Sequence, residues 1–390
     1  MPGNAPVIVF INHWAKQLGG AERSLLDILE YAAPRCRAVL VTAEHGLLTE
    51  KAALLGVECR VTPCGLRPEG NERERLFRSV FRSWTGYLSF LAYCLSISRA
   101  VKTLRPDCIH ANIPKSHVTL FMLSILGYRG ACFFHMRELF AQGSCAYRIY
   151  TWFFPYRRGR IIAISEAVKA NLSPRLQSKT TVIYNGVFIA DNAKVAVDRP
   201  VRFLYLGRVV PWKGVHHLIE AFALIQKNFP FGNATLSLIG DTMYWSSDYR
   251  EALRRQIGDG KLSESCFLLP HTDKPQAAFV AHDVFCNASF NEPFGRSIAE
   301  AQAAGLPVIA FKGGGVAEIV EQGKTGMLVP YGDITGFADA MSRFIDNTSM
   351  VAEMGLLGRK RALELFNREI QVPKICKEIL QCPFASAYKH

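Results

Sequence analysis

Two glutamates, Glu292 and Glu300, stand eight residues apart in a run that begins Asn291, Glu292, Pro293, Phe294, Gly295, Arg296 and ends Gly305, Leu306, Pro307. The apolar run 284–289 stops just before Glu292, and Phe294 with Gly295 can open a helix that carries Glu300 about one and a half turns in. One carboxylate then sits on a loop and the other on a helix, both at the carboxyl end of a sheet. Between them lie the N–H groups of a helix N-terminus, which with the helix dipole make a seat for phosphate. Two acceptor carboxylates flanking an anion seat suit a polyhydroxylated phosphate ester. A sugar nucleotide fits, with one glutamate for sugar hydroxyls and the other for the ribose. The plain alternative is a pair of exposed acids at the start of a helix.

Two cations add to this pattern. Arg208 and Lys213 follow the apolar run 201–206, on the loop that leads into the helical pattern beginning at Val215. A diphosphate leaving group gains negative charge as its bond to a sugar breaks, and two fixed cations stabilise that charge without a metal. Gly19 and Gly20 follow the first apolar run and open a helix, so their N–H groups can meet phosphate or sugar, although a glycine turn can also serve only the chain path. Glu22 reads as a first-turn acid that favours its own helix. No Asp-x-Asp and no His/Cys cluster occurs in the chain, so no metal or other cofactor is expected and Mg²⁺ should be dispensable.

The elements that must position these residues follow from the periodicity. In the second half, strand-like runs at 201–206, 234–239, 266–269, 284–288, 307–311 and 327–329 alternate with helix-period segments. In the helical segment from residue 215 to 227, Val215, Leu218, Ile219, Phe222 and Ile225 mark one face. The first half repeats the theme at 7–11, 38–42, 58–61, 108–110, 131–135, 161–164 and 181–183. Such series build parallel sheets covered by helices, with ligands held at the carboxyl ends of the strands. The chain is therefore an α/β protein with two doubly wound domains, residues 1–190 and 191–366, joined through a hinge at 185–200, with a cleft between them. A terminal helical pattern follows at 367–381. No G-x-G-x-x-G fingerprint appears, which disfavours a nicotinamide enzyme.

The segment from Glu292 to Glu300 resembles the E-x7-E signature of the retaining glycosyltransferases of the GT-B fold, in the large group called family 4. The resemblance runs almost the whole length of the chain. It takes in Gly19, Gly20 and Glu22, then His135, the run from Ile164 to Lys169, the run Tyr184, Asn185, Gly186, Val187, then Gly207, Arg208, Lys213 and Gly214, and the run from Gly313 to Glu318. It implies two Rossmann-like domains facing each other across a cleft, with the last helix, about 367–390, packed back on the N-terminal domain. It also implies that Arg208 and Lys213 hold the diphosphate, Glu300 the ribose hydroxyls and Glu292 the transferred sugar, with the amides of Phe294 and Gly295 on sugar or phosphate. His135 resembles the histidine that meets the donor sugar near the reacting centre, though Met136, Arg137 and Glu138 follow it where Asp or Gly is common. Pro270 and His271 would lie beside the base, and His110 and Asn112 are further candidates on the acceptor side. The implied reaction is front-face transfer, with the acceptor hydroxyl attacking as the diphosphate leaves and a donor phosphate oxygen taking the proton. The two-carboxylate arrangement of glycosidases does not apply, because both glutamates are committed to donor hydroxyls.

Composition bounds the partners. The chain of 390 residues is 49% hydrophobic and 20% charged, a globular composition with material for two domains. Its eleven cysteines are scattered without a C-x-x-C pair and read as buried thiols of a reducing compartment. The N-terminus lacks the basic-then-apolar run of a secretory signal, and no apolar stretch approaches the roughly 20 residues of a spanning helix, so a cytoplasmic protein is expected. Residues 1–190 hold 24 Lys+Arg against 12 Asp+Glu, whereas residues 191–390 hold 22 against 21. The basic half calls for an acidic partner, and Arg73, Arg75, Arg78 and Arg82, with the aromatic and basic stretch from residue 147 to 160, suit the cytoplasmic face of an anionic membrane. The expected acceptor is a glycan or a lipid-linked glycan, as in the synthesis of surface polysaccharide or glycolipid. Two other readings are a GT-B nucleotide-sugar epimerase, which leaves the basic half unexplained, and a basic nucleic-acid-binding protein, for which no recognition motif is present and which is not expected.

Overall fold

The computed structural model describes residues 5–64, 84–144, 147–148, 159–190, 200–229, 232–242 and 247–381. Arg73, Arg75, Arg78, Arg82, the stretch 149–158 and residues 191–199 of the expected hinge lie outside the described residues. The chain forms two compact units, residues 1–186 with 368–390, and residues 187–367.

The first unit is built on a seven-stranded sheet in the order β3-β2-β1-β4-β5-β6-β7. Its strands are β1 (Val7–Ile11), β2 (Arg37–Thr42), β3 (Glu58–Val61), β4 (Cys108–Ala111), β5 (Ala131–Met136), β6 (Gly159–Ala163) and β7 (Thr180–Val182). All neighbours are parallel. The central strands β1, β4 and β5 are almost wholly buried, as strands covered on both faces must be. On one face the helix Gly20–Ala32 presents Leu25, Ile28 and Leu29 to Ile8, Phe10 and Leu40. The last helix, Arg368–Leu380, completes that core with Val372, Ile375, Cys376 and Ile379.

The second unit holds a six-stranded parallel sheet in the order β10-β9-β8-β11-β12-β13. These are β8 (Val201–Leu206), β9 (Ala234–Ile239), β10 (Cys266–Leu269), β11 (Val284–Asn287), β12 (Val308–Lys312) and β13 (Gly326–Pro330). The helix Val215–Asn228 packs with Ile334–Asp346, burying Leu218, Phe222, Phe337, Met341 and Phe344 in one core. Truncating a ring such as Phe222 to alanine there should cost about 3–5 kcal/mol. At the amino ends of β8 and β11, the buried Asp283 carboxylate accepts from the Arg202 backbone N–H at 2.7 Å and from Arg202 Nε at 3.0 Å. This clasp fixes the register of the two central strands whose other ends carry the candidate site.

In both sheets the order of connection reverses at the centre, between β1 and β4 and between β8 and β11. A doubly wound sheet opens a crevice at that switch point, outside the carboxyl ends of the strands.

Candidate functional site

In the second unit the switch point gathers the charged residues. Beyond β8 the chain passes Gly207 and Arg208, makes a single turn of 3-10 helix, Pro211–Lys213, and enters the helix Val215–Asn228. Gly214 joins the two at φ +67°, and a Cβ there would lie 2.1 Å from the Ala288 carbonyl oxygen, so only glycine lets this turn press against the end of β11. The Phe290 N–H donates to the Trp212 carbonyl at 2.9 Å, tying the two loops together. The Tyr205 hydroxyl, buried under the turn, donates to the Arg208 carbonyl at 2.6 Å.

This packing brings the Lys213 ammonium onto the Glu292 carboxylate as an ion pair. The two side chains are only 17% and 14% exposed, so the pair is largely withdrawn from water and its attraction is poorly screened. Burial alone pushes the Glu292 carboxyl up. The charge of Lys213 and its hydrogen bond, a polar contact from Ser289 and the charge of Arg208 outweigh this, and the carboxyl ends below its ordinary value. Glu292 is ionised at neutral pH. The exposed Arg208 guanidinium lies 5.4 Å from the centre of the Trp212 ring. Two cations and one carboxylate thus meet where β8 and β11 end.

Glu300 lies on the helix Arg296–Ala303, where its Oε1 accepts from Arg296 Nε at 2.8 Å. Gly295 precedes that helix at φ +100°, and a Cβ there would lie 2.8 Å from Ile298 Cδ1 and 3.4 Å from Glu292 Cγ. Phe294 contributes main chain only, because its ring is buried edge-on against Phe366 at 5.6 Å. The glycine run after β12 closes the other side, with the Gly315 N–H donating to the Glu292 carbonyl at 2.8 Å. His271 follows the edge strand β10, two strands removed from β8, where its exposed ring faces Asp273 at 3.6 Å. Among the described residues no group of three His, Cys, Asp or Glu side chains could hold a metal ion.

In the first unit, Gly19 precedes the helix Gly20–Ala32, and its N–H is taken by Glu22 Oε2 at 3.0 Å. Glu22 therefore satisfies the start of its own helix, and burial raises its carboxyl above the ordinary value. His135 is fully buried one residue before the end of β5, which runs on to Met136. Its Nδ1 lies 3.1 Å from Nε2 of His110 and 3.2 Å from the Nη2 of Arg137. Arg137 also donates through Nε to Asn112 Oδ1 at 3.0 Å and through Nη1 to Asn185 Oδ1 at 2.7 Å. Asn112 in turn donates to Asn12 Oδ1 at 2.9 Å. The loops after β1, β4, β5 and β7 thus share one buried polar network.

Sequence reasoning did not assign Arg296, Trp212, Ser289 or Arg137 to any site. Arg296 carries a legible signal, a cation four residues before Glu300 on one helix. Ser289 and Trp212 act on near neighbours, Glu292 and Arg208, without a motif to mark them, whereas Arg137 gains meaning from Asn112 and Asn185, distant in sequence.

Two doubly wound parallel units define the GT-B fold, and comparison with known proteins agrees. Residues 18–190 match Glycosyltransferase Family 4 and residues 189–361 match Glycosyl transferases group 1. The chain belongs to this glycosyltransferase family. It is similar to the capsular polysaccharide biosynthesis glycosyltransferase CapM of Staphylococcus aureus, 30% identical over 235 residues, 54% of this chain and 58% of that one. A D-inositol 3-phosphate glycosyltransferase of Pseudarthrobacter chlorophenolicus is 32% identical over 161 residues, 41% of this chain and 38% of that one. The matches thus span less than two thirds of these relatives' length. Among solved structures, Anabaena HepE in complex with UDP-glucose superposes with a TM-score of 0.80 at 24% identity, covering 96% of this chain and 99% of that one. Sucrose-phosphate synthase of Thermosynechococcus elongatus gives 0.78 at 20% identity, covering 96% and 98%. At these identities the two structures establish the fold.

Proposed function

We propose that this protein moves a sugar from a nucleoside diphosphate sugar to an acceptor hydroxyl, with retention of anomeric configuration and without a metal. The observation that carries this reading is the Lys213–Glu292 pair beside Arg208 at the switch point of the second unit. In the proposed reaction the acceptor oxygen bonds to the anomeric carbon on the face from which the diphosphate departs. The carbon–phosphate-oxygen bond breaks, and the acceptor proton passes to an oxygen of the leaving diphosphate. Arg208 and Lys213 neutralise the charge that develops there, Glu292 holds sugar hydroxyls, and Glu300 holds the ribose by sharing or displacing Arg296. The main chain at Phe294 and Gly295 approaches sugar or phosphate and His271 borders the base, whereas the expected Gly19 amide is already taken by Glu22 and only Gly20 is left to offer one.

The UDP-glucose in the HepE structure supports a nucleotide-sugar donor. The likeness to CapM, a glycosyltransferase of capsular polysaccharide biosynthesis, supports a role in surface polysaccharide synthesis; the transferred unit is proposed to be a hexose and the acceptor a glycan or lipid-linked glycan. The excess of cations in residues 1–190 supports peripheral docking at an anionic membrane, and no helix among the described residues is long and apolar enough to cross one. The test is transfer from a panel of UDP-, GDP- and ADP-sugars to membrane-extracted glycolipids and to soluble glycans, followed by NMR of the new linkage. A product with the donor's anomeric configuration is expected. An inverted linkage would overturn the front-face mechanism.

A further inference from the structure

The buried network around His135 fixes where that ring carries its proton. A guanidinium can only donate hydrogen bonds, so Nη2 of Arg137, 3.2 Å from His135 Nδ1, requires a lone pair on Nδ1. Nε2 of His110, 3.1 Å from the same atom, must then donate as well, since two lone pairs would otherwise face each other. The neutral His135 ring is left with its proton on Nε2. That atom is buried and has no hydrogen-bond partner among the described residues, and Nδ1 of His110, a bare acceptor in this tautomer, is likewise without one. Leaving a buried donor unpaired is unfavourable, and a ligand oxygen would satisfy it.

We propose that Arg137 is a positioning residue that locks His135 as an Nε2–H donor, so that His135 gives a hydrogen bond to a sugar oxygen and does not act as a base. The lock is rigid because Asn112 and Asn185 hold the other arms of the guanidinium, and Ser24 donates to the same Asn185 oxygen at 3.2 Å. Burial and the neighbouring charge of Arg137 keep the ring neutral, holding it well below its ordinary value. The proposal rests on the glycosyltransferase reading for the identity of the ligand oxygen. The tautomer stands apart from it.

The test is long-range ¹H–¹⁵N NMR on the full chain labelled at histidine, with His135 assigned by its loss in His135→Gln. At pH 7.5 wild-type His135 should show a protonated Nε2 and a bare Nδ1. In Arg137→Met the two rings should exchange the proton between His110 Nε2 and His135 Nδ1 and give averaged shifts. In the transfer assay His135→Gln, which keeps a donor near the same place, should retain kcat within about tenfold, while His135→Ala should lose about a hundredfold or more. An Nδ1–H or cationic wild-type ring, or shifts unchanged in Arg137→Met, would overturn the lock whatever the activity. Equal loss in His135→Gln and His135→Ala would overturn the donor role and leave the glycosyltransferase reading intact.

Discussion

Lys213 and Glu292, 79 residues apart in sequence, form an ion pair because their loops follow the adjacent central strands β8 and β11 and are pressed together through Gly214 and Ala288. The pair holds a cation beside the exposed Arg208, with the charge of Lys213 balanced by Glu292. On the proposed function, a diphosphate would replace one anionic partner of Lys213 by another, so the lysine would not need to be desolvated anew.

Lys213→Ala and Arg208→Ala should each weaken transfer strongly. Loss of one charge-assisted contact to a developing diphosphate costs on the order of 2–4 kcal/mol, about 30- to 1000-fold in kcat. In Lys213→Ala the Glu292 carboxyl also loses its main stabilising charge, and burial should then raise it. Steady-state kinetics with saturating donor will check this, and a change below threefold in both variants would contradict the assignment.

Glu300→Ala should weaken binding of the free nucleoside diphosphate, whereas Glu292→Ala should spare that binding and lower turnover. One carboxylate is assigned to ribose and the other to sugar. Calorimetric titration of UDP and GDP into both variants distinguishes the roles, and equal loss of affinity would show that they are wrongly divided.

Acid should destabilise the first unit through its buried histidines. His13, His110 and His117 are held down at about 3, and His135 well below its usual value, chiefly by burial, with Lys115 beside His13 and Arg137 beside the others adding to it. Each folded value lies below the 6.5 of the free side chain, so the unfolded chain binds more protons as the pH falls through 6.5. The contribution is complete above that value and declines below it. At pH 5.5 each group should cost roughly 1.4 kcal/mol, on the order of 4–6 kcal/mol for the four. Urea unfolding at pH 7.5 and 5.5 measures this, and equal midpoints would contradict it.

The charge of residues 1–190 should draw the protein to anionic membrane. Each well-placed cation contributes about 1 kcal/mol, screened within a Debye length of roughly 8–10 Å. The full chain should sediment with vesicles rich in phosphatidylglycerol at low salt and return to the supernatant near half-molar NaCl. Indifference to such vesicles at low salt would favour a soluble acidic acceptor.

The strands were legible because parallel strands buried on both faces read as unbroken apolar runs, and the observed bounds differ from the expected ones by no more than a residue or two. β5 extends past its expected end because His135 interrupts the apolar pattern while remaining inside the sheet. The pairing of Lys213 with Glu292 was not legible, since it depends on which strands become neighbours. Arg137 was hidden for the same reason, as the residues that give it meaning, Asn112 and Asn185, are 25 and 48 positions away. The placing of Arg208 and Lys213 just beyond β8, at the carboxyl end of the sheet, was legible because both follow directly on an apolar strand run.

The proposed reaction is transfer of the sugar of a nucleoside diphosphate sugar, held by the second unit, to an acceptor hydroxyl, with release of the nucleoside diphosphate and without a metal. Its most direct test is release of nucleoside diphosphate from UDP-, GDP- and ADP-sugars by the full chain in excess EDTA, with a glycolipid extract as acceptor. Release from one nucleotide class, matched by a one-sugar mass gain in the acceptor and unaffected by EDTA, is the predicted result. No release from any sugar nucleotide, or inactivation by EDTA that Mn²⁺ restores, would contradict the account.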